Sequence, residues 1–214
     1  MIRAVVFDMD GVVSDTERLH QEVERLILAP YGIAPTRDQT PGRFAGMSDR
    51  EFFPAVFAAH AVVGDVEAAI AEKWRRMAEL APGAIAAVPG SLELIAALRD
   101  GGFLLALASA SPRAFIDQVL DALVIRDRFD AVVSADEVDR GKPEPDVFLL
   151  AARRLGVAPG ECVVIEDAEN GMTAARRAGM RCVGLIHGGD PSRLPADLCV
   201  SDLRTLTPEA LARL

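Results

Sequence analysis

The chain reads as an α/β protein: a doubly wound, mostly parallel sheet with a small helical cap domain inserted after its first strand. Three observations predict this. Short apolar runs alternate with stretches of helical periodicity. The runs are apolar at nearly every position rather than every second one, as in parallel strands covered on both faces. The alternation breaks once, between about Thr16 and Leu80, where only helical spacing occurs.

In chain order, Ala4–Phe7 is the first strand. The insert follows with three apolar stripes at helical spacing: Leu19, Val23, Leu26 and Ile27; then Phe52, Phe53, Val56 and Phe57; then Val66, Ile70, Trp74 and Met77. Ser48, with Glu51 three residues on, has the spacing of a capping box for the second helix. This predicts a core built from residues 1–14 and 86–214, with 15–85 as the cap. In the core, Ser91 is placed to cap a helix carrying Leu92, Ile95 and Leu98, stopped by Gly101-Gly102. The run Phe103–Ala108 is the next strand, and Ser111-Pro112 reads as a cap followed by proline at the first helical position. Strands follow at Ala131–Val133, Cys162–Ile165 and Cys182–Ile186, with Leu198–Val200 as an added edge strand. Between them lie helices over Asp146–Leu155, ended by Gly156, and Gly171–Ala178, ended by Gly179. A last helix starts at Thr207-Pro208-Glu209. The βαβα order is that of a doubly wound core.

Composition narrows the function. Half of the 214 residues are hydrophobic, enough for a sizeable core, and the net charge of −9 argues against a nucleic-acid partner. Cys162, Cys182 and Cys199 stand singly in apolar runs, without zinc-ligand spacing or a disulfide pattern, and read as reduced thiols. The apolar run Ile2–Phe7 is too short for a signal peptide, and no stretch reaches the ~20 apolar residues of a membrane span. A cytoplasmic protein without a membrane partner is expected, its oligomeric state open and a monomer included.

Ligands of open α/β sheets bind beyond the C-terminal strand ends. Here the first strand runs into Asp8-Met9-Asp10, the second into Ser109-Ala110-Ser111 and the fourth into Glu166-Asp167. Lys142 precedes the helix at Asp146. Asp8 and Asp10 are two apart, so on an extended chain their side chains point the same way. Two carboxylates ~4 Å apart repel by about 4 kcal/mol at an effective dielectric of 20, which a neighbouring cation relieves. Oxygen ligands of this kind suit Mg²⁺, which also takes a substrate phosphate oxygen. Ser109, before a helix N-terminus, is placed to bind an anion. Lys142 lies where the helix dipole disfavours a cation, as a lysine with a task would.

The run Phe7-Asp8-Met9-Asp10-Gly11-Val12-Val13-Ser14-Asp15-Thr16-Glu17, then Ser109, Lys142-Pro143-Glu144-Pro145-Asp146 and Glu166-Asp167-Ala168-Glu169-Asn170-Gly171 resemble the four motifs of the haloacid dehalogenase-like superfamily. They stand in the family's order over essentially the whole chain, and resemble its β-phosphoglucomutase-like branch of small phosphatases and mutases. The resemblance implies that Asp8 attacks phosphorus to form an aspartyl phosphate. Asp10 would protonate the leaving oxygen and then activate the incoming nucleophile. Mg²⁺ would be held by Asp8, the Asp10 carbonyl and Asp167, with Glu166 direct or through water. Ser109 and the Ala110 N–H would hold phosphate oxygens, and Lys142 would offset phosphoryl charge. In the cap, Thr16, His20, Arg50 and Lys73 are candidate substrate contacts. Arg50 is displaced by one residue from a phosphate-contacting arginine of the mutases, and Lys73 stands beside Arg75 and Arg76 in what also reads as a solvated face. His60 and His187 gain no partner. An aspartate at position 10 sets aside carbon–halogen and carbon–phosphorus cleavage. The expected activity is hydrolysis of a small phosphorylated metabolite such as a sugar phosphate. The alternative is a β-phosphoglucomutase, which Thr16, His20 and the Ser109-Ala110-Ser111 run also resemble. A catalytically idle binding protein on the same fold is the third reading.

Overall fold

Strand β1 (Ala4–Phe7) pairs in parallel with β2 (Leu104–Ser109) on one side and β4 (Cys162–Glu166) on the other. Beyond β2 lies β3 (Ala131–Ser134), and beyond β4 lie β5 (Arg181–Leu185) and β6 (Leu198–Val200). The order β3-β2-β1-β4-β5-β6 is all parallel, with the switch point at β1. The computed structural model describes residues 1–33, 46–186 and 191–214; His187 lies outside them. Strand ends fall within a residue of the expected ones.

The alternation of side chains along each strand divides the core into two layers. Val5, Phe7, Leu105, Leu107, Val163 and Ile165 face the layer that contains α4 (Ser91–Asp100) and α5 (Arg113–Ala122). Ala4, Val6, Ala106, Ala108 and Val164 face α6 (Asp146–Leu155) and α7 (Glu169–Arg177). The small residues on this second face let α6 approach closely, and Phe148 fills the space they leave. Each such large apolar side chain contributes roughly 1.5–3 kcal/mol on burial. A short helix, α8 (Pro208–Ala212), is capped by Thr207, whose hydroxyl accepts from the Ala210 N–H at 3.2 Å.

Between β1 and β2 stand α1 (Glu17–Leu28), α2 (Asp49–Ala59) and α3 (Val66–Leu80). Val23, Ile27, Phe52, Phe53, Val56, Phe57 and Met77 make their shared apolar interior. The chain leaves the sheet and returns to it at one place. There the Asp15 N–H donates to the Ala86 carbonyl at 2.8 Å and the Val88 N–H to the Val13 carbonyl at 3.0 Å.

Two serines expected to cap helices do something else. Gly90, at φ 86°, takes the N-cap of α4, while the Ser91 hydroxyl donates to the Val13 carbonyl at 3.1 Å, beside that crossing. Pro112 takes the N-cap of α5, which leaves the Ser111 hydroxyl free for another partner. Among the described residues, no helix is long and apolar enough to cross a membrane. Cys162 and Cys182 are buried and Cys199 half-buried, all unpaired with one another. Burial pushes the Cys162 thiol up to about 11 and the Cys182 thiol higher, so both are inert.

Candidate active site

The C-terminal ends of β1, β2 and β4 and the loop before α6 converge on one point. Asp8 follows β1, and its N–H still donates to the Ile165 carbonyl of β4 at 3.0 Å. The Asp8 side chain therefore emerges beside Glu166 and Asp167. One carboxylate oxygen from each of Asp8, Glu166 and Asp167 lies within 4.8 Å of the others. Lys142 closes the group from below. Its ammonium is 2.5 Å from Asp8 Oδ1 and 2.7 Å from Glu166 Oε1, and it sits over the Phe148 ring at 4.9 Å. The Ala168 N–H donates to the second Glu166 oxygen at 2.7 Å.

Two glycines make room for these acids. A Cβ at Gly171 would stand 1.7 Å from Glu166 Oε1, and one at Gly11 would stand 2.1 Å from Asp167 Oδ2. Gly11 also has φ 83°, in the left-handed region that favours glycine.

Three carboxylates against one ammonium leave an excess of negative charge in a buried place. Burial pushes the Asp8 carboxyl up, Lys142 pulls it down, Glu166 and Asp10 push it up again, and it comes to about 8. Burial, with Glu166 and Asp8, likewise raises Asp167 well above the ordinary carboxylate range. Burial alone would lower Lys142, but Asp8 and Glu166 outweigh it and hold the ammonium charged. Buried acids with raised proton affinity among hard oxygen donors are what a divalent cation would ionise and bind. The donor set therefore fits Mg²⁺.

Asp10 does not belong to this group, contrary to the expectation that it points with Asp8. The strand ends at Phe7, and the chain then turns. The N–H groups of Val12, Val13 and Ser14 all reach the Met9 carbonyl, at 3.3, 2.9 and 2.9 Å. The period-two rule holds only on extended chain, so the Asp10 carboxylate faces elsewhere. It accepts from the Ser111 hydroxyl at 2.9 Å and from the Ser109 hydroxyl at 3.4 Å. The Thr16 hydroxyl donates to its other oxygen, and Thr16 is in turn 2.9 Å from the Ser14 hydroxyl. His20 brings Nε2 to 3.3 Å of the same oxygen without the alignment of a hydrogen bond. Burial would raise Asp10, but His20, Thr16 and Ser111 outweigh it and hold the carboxyl at about 2. Asp8 and Asp10, two residues apart, thus have opposite proton affinities. The order is the reverse of what a carboxylate nucleophile beside a general acid needs, so ionising Asp8 would take a bound cation, and protonating Asp10 would take a change in its cradle.

The helices α1–α3 cover this edge. His20 and Trp74 both pack against Phe115 of α5, with ring centroids 5.5 and 5.3 Å apart. Of the remaining cap candidates, Arg50 is exposed on α2. Lys73 is neither solvated nor open to an anion, a correction to both sequence readings. It is 3 % exposed, with its ammonium 2.7 Å from Glu24 and 2.6 Å from Asp49. Burial would lower it, but the two carboxylates hold it above its ordinary value. Trp74 Nε1 donates to the other Asp49 oxygen at 2.6 Å. Arg75 and Arg76 do form the expected solvated face, paired with Glu72. His60 Nδ1 meets the Val56 carbonyl at 3.0 Å, at the end of α2. Ser111 was missed as a site residue. Its place in the Ser109-Ala110-Ser111 run was the available signal, outweighed by its resemblance to a cap. Ala110 lies between the two serines, half-buried at the same strand end.

Fold and site together define a doubly wound α/β protein with an acidic, lysine-braced ligand site at its topological switch point. The sequence signature of the haloacid dehalogenase-like hydrolases matches residues 2–179, and the chain belongs to that family. Hexitol phosphatase B of Escherichia coli (strain K12) is 34% identical over 218 residues, spanning 98% of this chain and 96% of that protein. β-Phosphoglucomutase of Bacillus subtilis (strain 168) is 34% identical over 223 residues, spanning 98% and 94%. The crystal structure of CbbY from Rhodobacter sphaeroides in complex with phosphate has a TM-score of 0.82 at 30% identity, covering 100% of both chains. The chain is an enzyme of the phosphatase and phosphoglucomutase kind within this family.

Proposed function

We propose that the chain is a Mg²⁺-dependent phosphomonoester hydrolase acting on a small sugar phosphate or similar metabolite through an aspartyl phosphate on Asp8. The observation that carries this is the separation of two neighbouring carboxylates. Asp8 lies in the Lys142–Glu166–Asp167 group, and Asp10 lies outside it in a cradle of hydroxyls and an imidazole. Residues 1–14 and 86–214 act as the catalytic core, and 15–85 as the cap.

When bound by Asp8, Asp167, Glu166 and the Asp10 carbonyl, Mg²⁺ supplies positive charge for the phosphoryl oxygens and keeps the acids ionised. Asp8 Oδ attacks phosphorus as the bond to the leaving oxygen breaks. Lys142 balances charge on the phosphoryl group and on Asp8, while Ser109 and the Ala110 N–H hold phosphoryl oxygens. Asp10 delivers a proton to the leaving oxygen, a step that requires substrate to displace part of its cradle and raise its pKa. Asp10 then takes a proton from water, whose oxygen attacks phosphorus and releases Asp8 and phosphate. The carboxylate nucleophile splits one displacement into two.

The mutase reading differs only in the acceptor, a sugar hydroxyl in place of water. A mutase working through a bisphosphate has a second phosphate to hold under the cap. Of the two cationic cap candidates for that contact, Lys73 is already neutralised by Glu24 and Asp49, which leaves Arg50, exposed on α2. The loss of Lys73 as a phosphate contact favours the hydrolase.

The test is phosphate release from a panel of sugar and sugar-alcohol phosphates with Mg²⁺, using Asp8→Asn as control. Release that the variant abolishes supports the hydrolase. Conversion of β-glucose 1-phosphate to glucose 6-phosphate without net release supports the mutase instead. No turnover of either kind returns the idle binding protein.

A further inference from the structure

Glu51 joins the inserted helices to the loop that carries Lys142. It stands in the first turn of α2, where one carboxylate oxygen closes the capping box. Oε2 accepts from the Ser48 N–H at 3.2 Å and from the Ser48 hydroxyl at 2.7 Å. Helix capping needs no more than this. The other oxygen, Oε1, leaves its helix and accepts from the Gly141 N–H at 2.9 Å. Hydrogen bonds from N–H groups to a carboxylate are among the stronger ones.

Gly141 directly precedes Lys142, the buried ammonium 2.5 Å from Asp8. The loop has internal bonds of its own: the Glu144 N–H donates to the Gly141 carbonyl at 2.9 Å, and Arg140 pairs with Asp146 at 3.0 Å. The Glu51 bond is added to these from across the fold. Gly141 is also shaped for it. A Cβ there would stand 2.3 Å from Glu51 Oε2 and 3.1 Å from Ser48 Oγ, and the residue does not have the positive φ that would otherwise call for glycine. Close approach of α2 is what the missing side chain permits.

We propose that Glu51 is a positioning residue for Lys142. Its bond to Gly141 exists only with α2 seated on the core, so covering the site and placing the ammonium become one event. The inference rests on the hydrolase reading for its kinetic consequence, since a covered site excludes water while the phosphoryl group is transferred.

The test compares wild type, Glu51→Ala, Gly141→Ala and the double variant in phosphate release from a sugar phosphate with Mg²⁺. Each single variant is expected to lose about 10- to 100-fold in kcat, with KM within about twofold. The double variant is expected to be no worse than the poorer single one, because both remove the same bond. Glu51→Gln, whose amide oxygen can still accept from Gly141, should recover most of the rate. Losses that multiply in the double variant, or that fall on KM alone, overturn the proposal. Amide hydrogen exchange at Gly141 needs no turnover and separates this inference from the assigned function. Glu51→Ala should speed that exchange about tenfold or more. Unchanged exchange overturns the link between Glu51 and the loop. Faster exchange in a chain without phosphatase activity upholds the link and overturns the hydrolase.

Discussion

Replacing Asp167 with asparagine removes one carboxylate from a group that sets three against a single ammonium. The oxygens of Asp8, Glu166 and Asp167 lie within 4.8 Å of one another, a separation at which two unit charges repel by roughly 3.5 kcal/mol at an effective dielectric of 20. Asp167 faces these two repulsions and a further one from Glu17, against a weaker attraction to Lys142. The net relief is at least that of one pair, reduced because burial and the neighbouring acids already raise its pKa. A gain of about 1–3 kcal/mol follows for the metal-free protein, or roughly 2–10 °C in Tm for a chain of this size. Scanning calorimetry in chelator and then in Mg²⁺ measures both sides of the argument. Wild type should melt lower than Asp167→Asn in chelator. With Mg²⁺ at a hundred times its Kd, wild type should gain about 2.7 kcal/mol, while the variant gains little. A variant that melts below wild type in chelator, or that keeps the full Mg²⁺ shift, would refute the reasoning.

Three further outcomes follow from the same geometry. The native Asp8 carboxyl, raised from 3.8 to about 8, keeps a proton that the unfolded chain has released between those values. Native protein then binds more protons than unfolded, so metal-free stability falls as pH rises through that window. Mg²⁺ must displace the proton, so its Tm shift should be larger at about pH 8 than at about pH 5.5; equal shifts would contradict this. Gly171→Ala puts a methyl group 1.7 Å from Glu166 Oε1, which drives the carboxylate off Lys142. Phosphate release should drop by about 100-fold or more, and near-normal turnover would show that the Glu166–Lys142 contact is dispensable. Lys73→Met leaves Glu24 and Asp49 without their shared cation and should cost about 3–5 kcal/mol in denaturant unfolding. A loss below about 1 kcal/mol would mean that water reaches those carboxylates.

The sheet was legible because each inner strand carries apolar residues on both faces, as Ala4–Phe7 and Cys162–Ile165 do, and a parallel sheet is the economical way to cover both. The polar residues at the strand ends followed from the same reading, since side chains that interrupt a buried run have to emerge at the edge. What the sequence hid depends on partners far along the chain. Lys73 looked solvated beside Arg75 and Arg76, but its carboxylates come from α1 and α2. Ser91 and Ser111 fit local capping patterns, yet their hydroxyls reach Val13 and Asp10. Glu51 fits half of a capping box, and only its second oxygen, on Gly141, lies beyond local pattern. Asp10 turns away from the Asp8 group because the chain leaves the extended conformation after Phe7 and wraps around the Met9 carbonyl.

Asp8 is the centre of the account, as the atom donor to phosphorus in both the hydrolase and the mutase readings. Rapid acid quench after mixing with Mg²⁺ and a turned-over sugar phosphate, followed by peptide mass mapping, locates any phosphoryl group on the chain. The expected result is a phosphoryl group on the peptide that contains Asp8, absent from Asp8→Asn. Steady turnover with the phosphoryl group on another residue, or turnover that survives in Asp8→Asn, would contradict it.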